Sequence, residues 1–283
     1  MHRASDRWPY WRRIGHSVAM CIVTLFCCIG IFGPTYAADT STPCARPVYL
    51  TFDTGHMGVA PLVAEVLQRQ RVKATFFLAN ERTLDNGSSL DDRWAPWWKA
   101  RAEEGHLFGS HTFDHVYWRK DLADGRMSMR ATAGSDAGRT QEWTAADYCG
   151  ELARVDARFK AMTGHTLAPI FRAPGGKTSP RLLAAARSCG YLHVPWTAAG
   201  FLGDELPSER YPNRALLEKA LREIRPGDIL LARLGIWSRQ DPWAPAVLEP
   251  LIEGLKAKGM CFATLRDHPD YRSWLATPVN PAR

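Results

Sequence analysis

Apolar and polar positions alternate along this chain with two periods. Short β-rich runs at Val48–Phe52, Ala74–Leu78, Leu107–Ser110, Ile170–Arg172, Tyr191–Val194, Asp228–Ala232 and Cys261–Thr264 predict seven strands. Segments of helical period lie between most of them. Pro61–Gln70 has Pro61 in its first turn, and Ala95–Glu104 is stopped by Gly105. Thr144 with Asp147 reads as a capping start. Behind it Tyr148, Leu152, Val155, Phe159 and Met162 form one stripe, which Gly164 ends. Further helices are expected from Ser179-Pro180 to Gly190, over Arg214–Ile224 with Asn213 as cap, and over Pro245–Lys258 with Gly259 as stop. Strands alternating with helices predict a parallel sheet clad in helices. No interior linker divides the chain. Tyr117 to Trp143 breaks the pattern. With Gly125, Gly134 and Gly138 among the bases Arg119, Lys120, Arg126, Arg130 and Arg139, it reads as a solvated surface excursion.

The first residues are of another kind. Arg3, Arg7, Arg12 and Arg13 precede an uncharged apolar run, Ser17 to Gly33, and then small residues around Ala37. That layout predicts an export signal over residues 1–37, with a retained membrane anchor as the alternative. Without it, net charge falls from +7 to +4, because four arginines leave with Asp6. A balance so small gives no argument for nucleic acid and suits an anionic cell-wall glycan at least as well. Cys44, Cys149, Cys189 and Cys261 remain. Their spacing admits buried thiols or any of three pairings, and the absence of C-x-x-C argues against structural zinc.

In a barrel-like fold, residues just past the strand ends face the site. Asp53-Thr54 follows the first strand, His111 to His115 ("HTFDH") the third, and Arg172 to Gly176 ("RAPGG") the fourth. A histidine pair four apart shares a face on a helical turn, and such a pair either forms half of a tetrahedral metal shell or stands as two hydrogen-bonded histidines without metal. Arg172 before a rigid turn suits holding a carboxylate or stabilising negative charge. Trp196 after the fifth strand, and Trp237 and Trp243 after the sixth, offer indole faces for sugar rings, or simply pack their loops. Trp94, Trp97 and Trp98 read as core.

"YLTFDTG", "ATFFL", "EGHLFGSHTFDH", "FRAPGG", "PGDILLARL" and "LKAKGMCFATL" stand in this order from about Pro47 to Leu265. Together they resemble the polysaccharide deacetylases with a NodB homology domain, carbohydrate esterase family 4. The resemblance implies a distorted (β/α)7 barrel over residues 47–270, after a lead-in at 38–46 and before a tail at 271–283. It also implies hydrolysis of N- or O-acetyl groups on a glycan or peptidoglycan by an exported, periplasmic or secreted protein. Carried over residue by residue, Asp53 matches the base that activates water, His111 and His115 the metal histidines, and Arg172 the motif Arg. The metal is divalent, with zinc as the first expectation. No nucleic acid and no stable membrane insertion after signal cleavage are expected.

Three positions depart from the family. Thr54 replaces the acid that is its third metal ligand, so that Asp53 itself or His56 would have to contribute. Ala199 stands where an acid normally pairs with the motif Arg, and Asp204 is the nearest acid. Arg233 stands at the general-acid histidine. It releases no proton near neutral pH but remains a fixed cation facing substrate. The readings that follow are a slow metal-assisted deacetylase, a degraded barrel that binds envelope glycan, or a hydrolase of another C–N bond rebuilt around Arg233 and His56. The deacetylase reading requires Asp53, His111, His115 and Arg172 to meet in one pocket.

Overall fold

A computed structural model describes residues 44–277. In chain order its elements are β1 (Pro47–Asp53), α1 (Ala60–Arg69), β2 (Thr75–Leu78), α2 (Ala95–Glu103), β3 (Leu107–Ser110), β4 (Val116–Asp121), β5 (Met127–Ala131) and β6 (Thr140–Trp143). They continue with α3 (Ala145–Thr163), β7 (Ile170–Phe171), α4 (Pro180–Ser188), β8 (Leu192–His193), α5 (Asn213–Glu223), β9 (Ile229–Arg233), α6 (Leu248–Ala257), β10 (Cys261–Phe262) and α7 (Pro269–Ala276).

β1 is buried on both faces, as a central strand of a parallel sheet must be. β2 and β9 flank it in parallel, Thr51 lying opposite Thr75 on one side and Leu231 on the other. From β2 the ladder runs through β3 and β7 to β8. The chain beyond β8 then returns to β9. Thr197 N–H donates to Ile229 O, Leu231 N–H donates to Gly200 O, and Phe201 bridges Leu231. β10 pairs with the first two residues of β1. The expected distorted (β/α)7 barrel is thus present, with one side closed by a single bridge instead of a ladder.

The two-residue period of β1 sorts its side chains. Val48, Leu50 and Phe52 face outward into the main core, with Val63, Val66, Leu251 and Leu255 from α1 and α6. Tyr49 faces inward, with Phe77, Ile170, Val194 and Ile229 and with Leu265 and Tyr271 filling the barrel's base. Thr51 and Asp53 share Tyr49's parity, so they too point inside, nearer the strand's C-terminal end. The fold therefore aims Asp53 into the barrel before any site is considered.

Several expectations need correction. Tyr117–Trp143 is not a structureless excursion: β4, β5 and β6 form an antiparallel sheet. Val116, Met127, Met129 and Ala131 are buried in a second core against Tyr148 and Leu152 of α3 and Leu182 of α4. Asn213 begins α5 without capping it. Its amide oxygen instead accepts from Arg239 Nη2 at 2.6 Å and its amide donates to Pro242 O at 3.3 Å. α6 starts at Leu248, since Ala244 and Trp243 before it belong to the core. The expected domain edge at 270 falls inside α7, whose Tyr271 is buried. The Thr144–Asp147 capping box and the left-handed stops at Gly105, Gly164, Gly190 and Gly259 are as expected. Trp98 is fully buried, with Trp94 and Trp97 packed beside it. The predicted export signal lies outside the described residues. Among those described, no helix is long and apolar enough to cross a membrane.

Among the described residues all four cysteines are paired. Cys149–Cys189 staples α3 to the end of α4, and Cys44–Cys261 ties the chain before β1 to β10. These bridges close loops of 217 and 40 residues in sequence separation, and bridges of this kind typically contribute about 2–4 kcal/mol each. Replacing either pair with alanines is expected to lower the denaturant midpoint accordingly. An oxidised and a fully reduced protein with the same midpoint would contradict the pairing.

Candidate active site

Asp53 closes β1 and is 2% exposed. Arg172 follows β7 directly and is completely buried. Its Nη1 donates to Asp53 Oδ1 at 2.8 Å and to Thr51 Oγ1 at 2.7 Å, and its Nε donates to Val194 O at 3.2 Å. The guanidinium lies 4.3 Å from the Phe77 ring centroid and 5.7 Å from that of Trp196. Nη2 has no partner. Burial by itself would raise the Asp53 carboxyl; neighbouring positive charge, from His111 only when it is protonated and from Arg172 and Arg233 at all times, outweighs burial and holds Asp53 below the ordinary carboxylate range. The carboxylate is therefore ionised near neutral pH.

His111 follows β3. Its Nδ1 lies 2.8 Å from the Arg172 carbonyl oxygen, which only accepts, so the proton resides on Nδ1 and Nε2 presents a lone pair. Burial pulls this imidazole down to about 4, which leaves it neutral. Nε2 then faces Asp53 Oδ2 at 3.4 Å, two acceptors with no proton between them. His115 brings its ring to 4.9 Å from that of His111. Its Nδ1 is 2.6 Å from Thr132 Oγ1, whose own proton goes to the His115 carbonyl. The second imidazole thus also keeps Nε2 for another partner.

The pair does not share a helical face, as spacing suggested. It is brought together by a tight turn in which Thr112 (φ 61°) and His115 (φ 45°) are left-handed, an unusual state for residues with a Cβ. Thr112 Oγ1 accepts the Val116 N–H at 2.7 Å, and Asp114 N–H donates to the buried carboxylate of Glu151 on α3. Arg154 links Glu151 to the Asp114 side chain. These bonds oppose the strain of the turn. The "RAPGG" turn is constrained on its other side. Gly175 and Gly176 have positive φ, and a Cβ would come within 2.5 Å of Tyr117 at the first and 2.7 Å of Trp196 at the second.

The remaining predicted residues divide. Trp196 lies at the pocket beside Arg172. Trp237 is 57% exposed, 5.2 Å from the His56 ring and under the Arg82 guanidinium at 5.1 Å. His56 Nδ1 accepts the Gly58 N–H at 3.0 Å, so His56 belongs with Trp237 and not with the imidazole pair. Trp243 is a core residue and presents no face to sugar. Arg233 lies opposite Asp53 in register, but it is not an uncommitted cation. Its Nη1 reaches Asp204 Oδ1 at 3.3 Å, its Nη2 reaches Glu205 Oε2 at 2.7 Å, and its backbone N–H donates to Asp204 Oδ2 at 2.6 Å. Asp204 therefore serves Arg233 and not Arg172. Burial pushes its carboxyl up to about 6, against the pull of Arg233. Sequence reasoning missed Glu81, whose Oε2 accepts from Thr54 Oγ1 at 2.6 Å. The strand-end rule that found Asp53 and His111 also reaches Glu81, three residues past β2.

Residues 40–194 match the model of the family described as polysaccharide deacetylase. The chain belongs to that family. It is 26% identical over 261 residues to the peptidoglycan-N-acetylmuramic acid deacetylase PdaA of Bacillus subtilis, covering 92% of this chain and 84% of that one. Its fold is similar to that of a family 4 acetyl xylan esterase from Clostridium thermocellum solved with a cobalt ion (TM-score 0.59, 20% identity, 81% and 92% of the two chains). It is also similar to that of a family 4 pseudoenzyme from Bacillus anthracis (TM-score 0.56, 18% identity, 79% and 65%).

A family metal can be tested against the donors present. Two imidazoles with Nδ1 engaged and Nε2 available are what a divalent cation requires. A cation at His111 Nε2 would also relieve the acceptor–acceptor contact with Asp53. The donor set therefore fits a metal held by His111 and His115. Among the described residues, no three His, Cys, Asp or Glu side chains close round one point as they stand.

Proposed function

We propose that the protein is exported and removes acetyl groups from an N- or O-acetylated glycan, peptidoglycan being the first candidate. The observation that carries this reading is the placement of the Asp53 carboxylate, fixed by Arg172 on one oxygen and turned toward His111 with the other, at the C-terminal mouth of the barrel. Family membership and the peptidoglycan relative support the substrate class. Residues 47–276 form the catalytic module in this reading.

Asp53 is the general base. Arg172 fixes Oδ1, which leaves Oδ2 to take a proton from water. His111 and His115 would hold the divalent metal, which supplies Lewis-acid polarisation of the acyl carbonyl when bound. Arg233 gives no proton to the leaving group. Asp53, having gained one in the first step, is the group placed to return it. Trp196 and the exposed Trp237 offer indole faces to the sugar.

A second reading is a barrel that binds glycan without cleaving it. Thr54 and Arg233, at the positions of the ligand acid and the general acid, favour it, as does the similarity to a pseudoenzyme. One assay separates the two: acetate release from peptidoglycan and chito-oligosaccharides, with and without chelator. Release that chelator stops and His111→Ala removes is the expected outcome. Glycan binding with no acetate under any metal supplied would establish the second reading instead.

A further inference from the structure

We propose that Glu81 is the carboxylate ligand of this chain's metal site, carried past β2 in place of the acid the family has at position 54. The proposal rests on the reading above only for the presence of a divalent cation at His111 and His115.

Thr54 Oγ1 accepts the Ala79 N–H at 3.0 Å, so its single proton is directed to Glu81 Oε2 at 2.6 Å. The threonine is buried, and these two bonds make it a bracket between the ends of β1 and β2. An aspartate at position 54 would carry its carboxyl carbon where Thr54 has its γ atoms. The Glu81 oxygen thus lies within one hydrogen bond of the place the family's ligand would fill. A threonine alone would leave the site with one negative charge fewer; threonine with Glu81 behind it does not.

The backbone holds Glu81 at this mouth independently of its side chain. Glu81 N–H donates to Ser89 Oγ at 3.0 Å, and Ser89 N–H donates back to Glu81 O at 2.8 Å. Asp53 lies opposite Phe77 across the β1–β2 ladder, so the chain leaving β2 crosses the same end of the barrel as Thr54. Asn80 N–H, beside Glu81, donates to Phe113 O at 2.6 Å, in the turn between His111 and His115. A hard or borderline cation prefers this carboxylate to a neutral hydroxyl.

Cobalt(II) titration of the purified protein tests the assignment, because its visible spectrum reports the ligands and its affinity is measured without turnover. Glu81→Gln keeps an acceptor for Thr54 and removes the charge. It is expected to weaken cobalt binding by about 10-fold or more and to change the spectrum. Glu81→Ala is expected to do the same, with an unchanged fold by circular dichroism, since the glutamate's main-chain bonds remain. Thr54→Asp alone sets a second carboxylate against Glu81 and is expected to gain less affinity than Thr54→Asp with Glu81→Gln. Unchanged affinity and spectrum in both Glu81 variants would overturn the proposal, and so would a wild-type protein that binds no cobalt. Cobalt binding that depends on Glu81 but accompanies no acetate release would keep this assignment and defeat the deacetylase reading. Acetate release with Glu81-independent metal binding would do the reverse.

Discussion

Asp53→Ala is expected to abolish acetate release and to destabilise the fold by about 3–5 kcal/mol. The two losses have different origins. Activity fails because the carboxylate that faces His111 Nε2 and takes the proton from water is gone. Stability fails because Arg172 is wholly buried and, among the described residues, its Nη1 bond to Asp53 at 2.8 Å is its one tie to a carboxylate. The other partners of Arg172 are the Thr51 hydroxyl and the Val194 carbonyl, which solvate the guanidinium without neutralising it. Nearby Arg233 adds repulsion. Removing the cation as well separates the effects. Asp53→Ala with Arg172→Met is expected to regain most of the lost stability and no activity, because an apolar replacement of both ions removes the uncompensated charge. Denaturant midpoints of the two singles and the double give the coupling. A double variant no more stable than Asp53→Ala would place the cost in the cavity and not in the charge.

This pair also shows what the sequence makes legible. The inward aim of Asp53 follows from parity along "VYLTFD", and His111 and Arg172 follow from the rule that strand ends face the mouth. The structure brings Asp53 Oδ2 to 3.4 Å from His111 Nε2 and Asp53 Oδ1 to 2.8 Å from Arg172 Nη1. Contacts made sideways, between loops, were not legible. Asp204 and Arg233 are 29 residues apart, and nothing in their local pattern couples them. Glu81 was hidden because its loop has no period, although its distance past β2 could have marked it. Tyr117–Trp143 was misread for a different reason. Met127, Met129 and Ala131 alternate with polar residues, and Asp124-Gly125 is a strong hairpin turn, but the many arginines and glycines drew the reading toward a solvated loop. Of the two readings the sequence left for Trp243, packing is the one realised, since its loop folds back onto the core. Disulfide pairing could not follow from spacing, since it depends on which distant segments the fold brings together.

Arg233→His is the second large effect expected, this time a gain: turnover should rise about 10²–10⁴-fold, the usual contribution of a placed general acid. The site is already arranged for it. Residue 233 ends β9 in register with Asp53 on the neighbouring strand, so the two side chains stand side by side at the same end of the barrel. Its backbone N–H donates to Asp204 Oδ2 at 2.6 Å, a bond that survives any side-chain change. Asp204 Oδ1, now 3.3 Å from Arg233 Nη1, would then face an imidazole and favour its protonated form. Glu205 loses a partner but is 40% exposed, so water replaces the guanidinium at little cost. The gain should appear in kcat with KM little changed, because the proton is delivered in the transition state and not to bound substrate. It should also vanish when Asp204→Asn is added, which removes the charge that holds the imidazole protonated. A variant no faster than the parent, with its fold intact and metal bound, would mean that proton delivery does not limit the reaction and that Asp53 already performs both transfers.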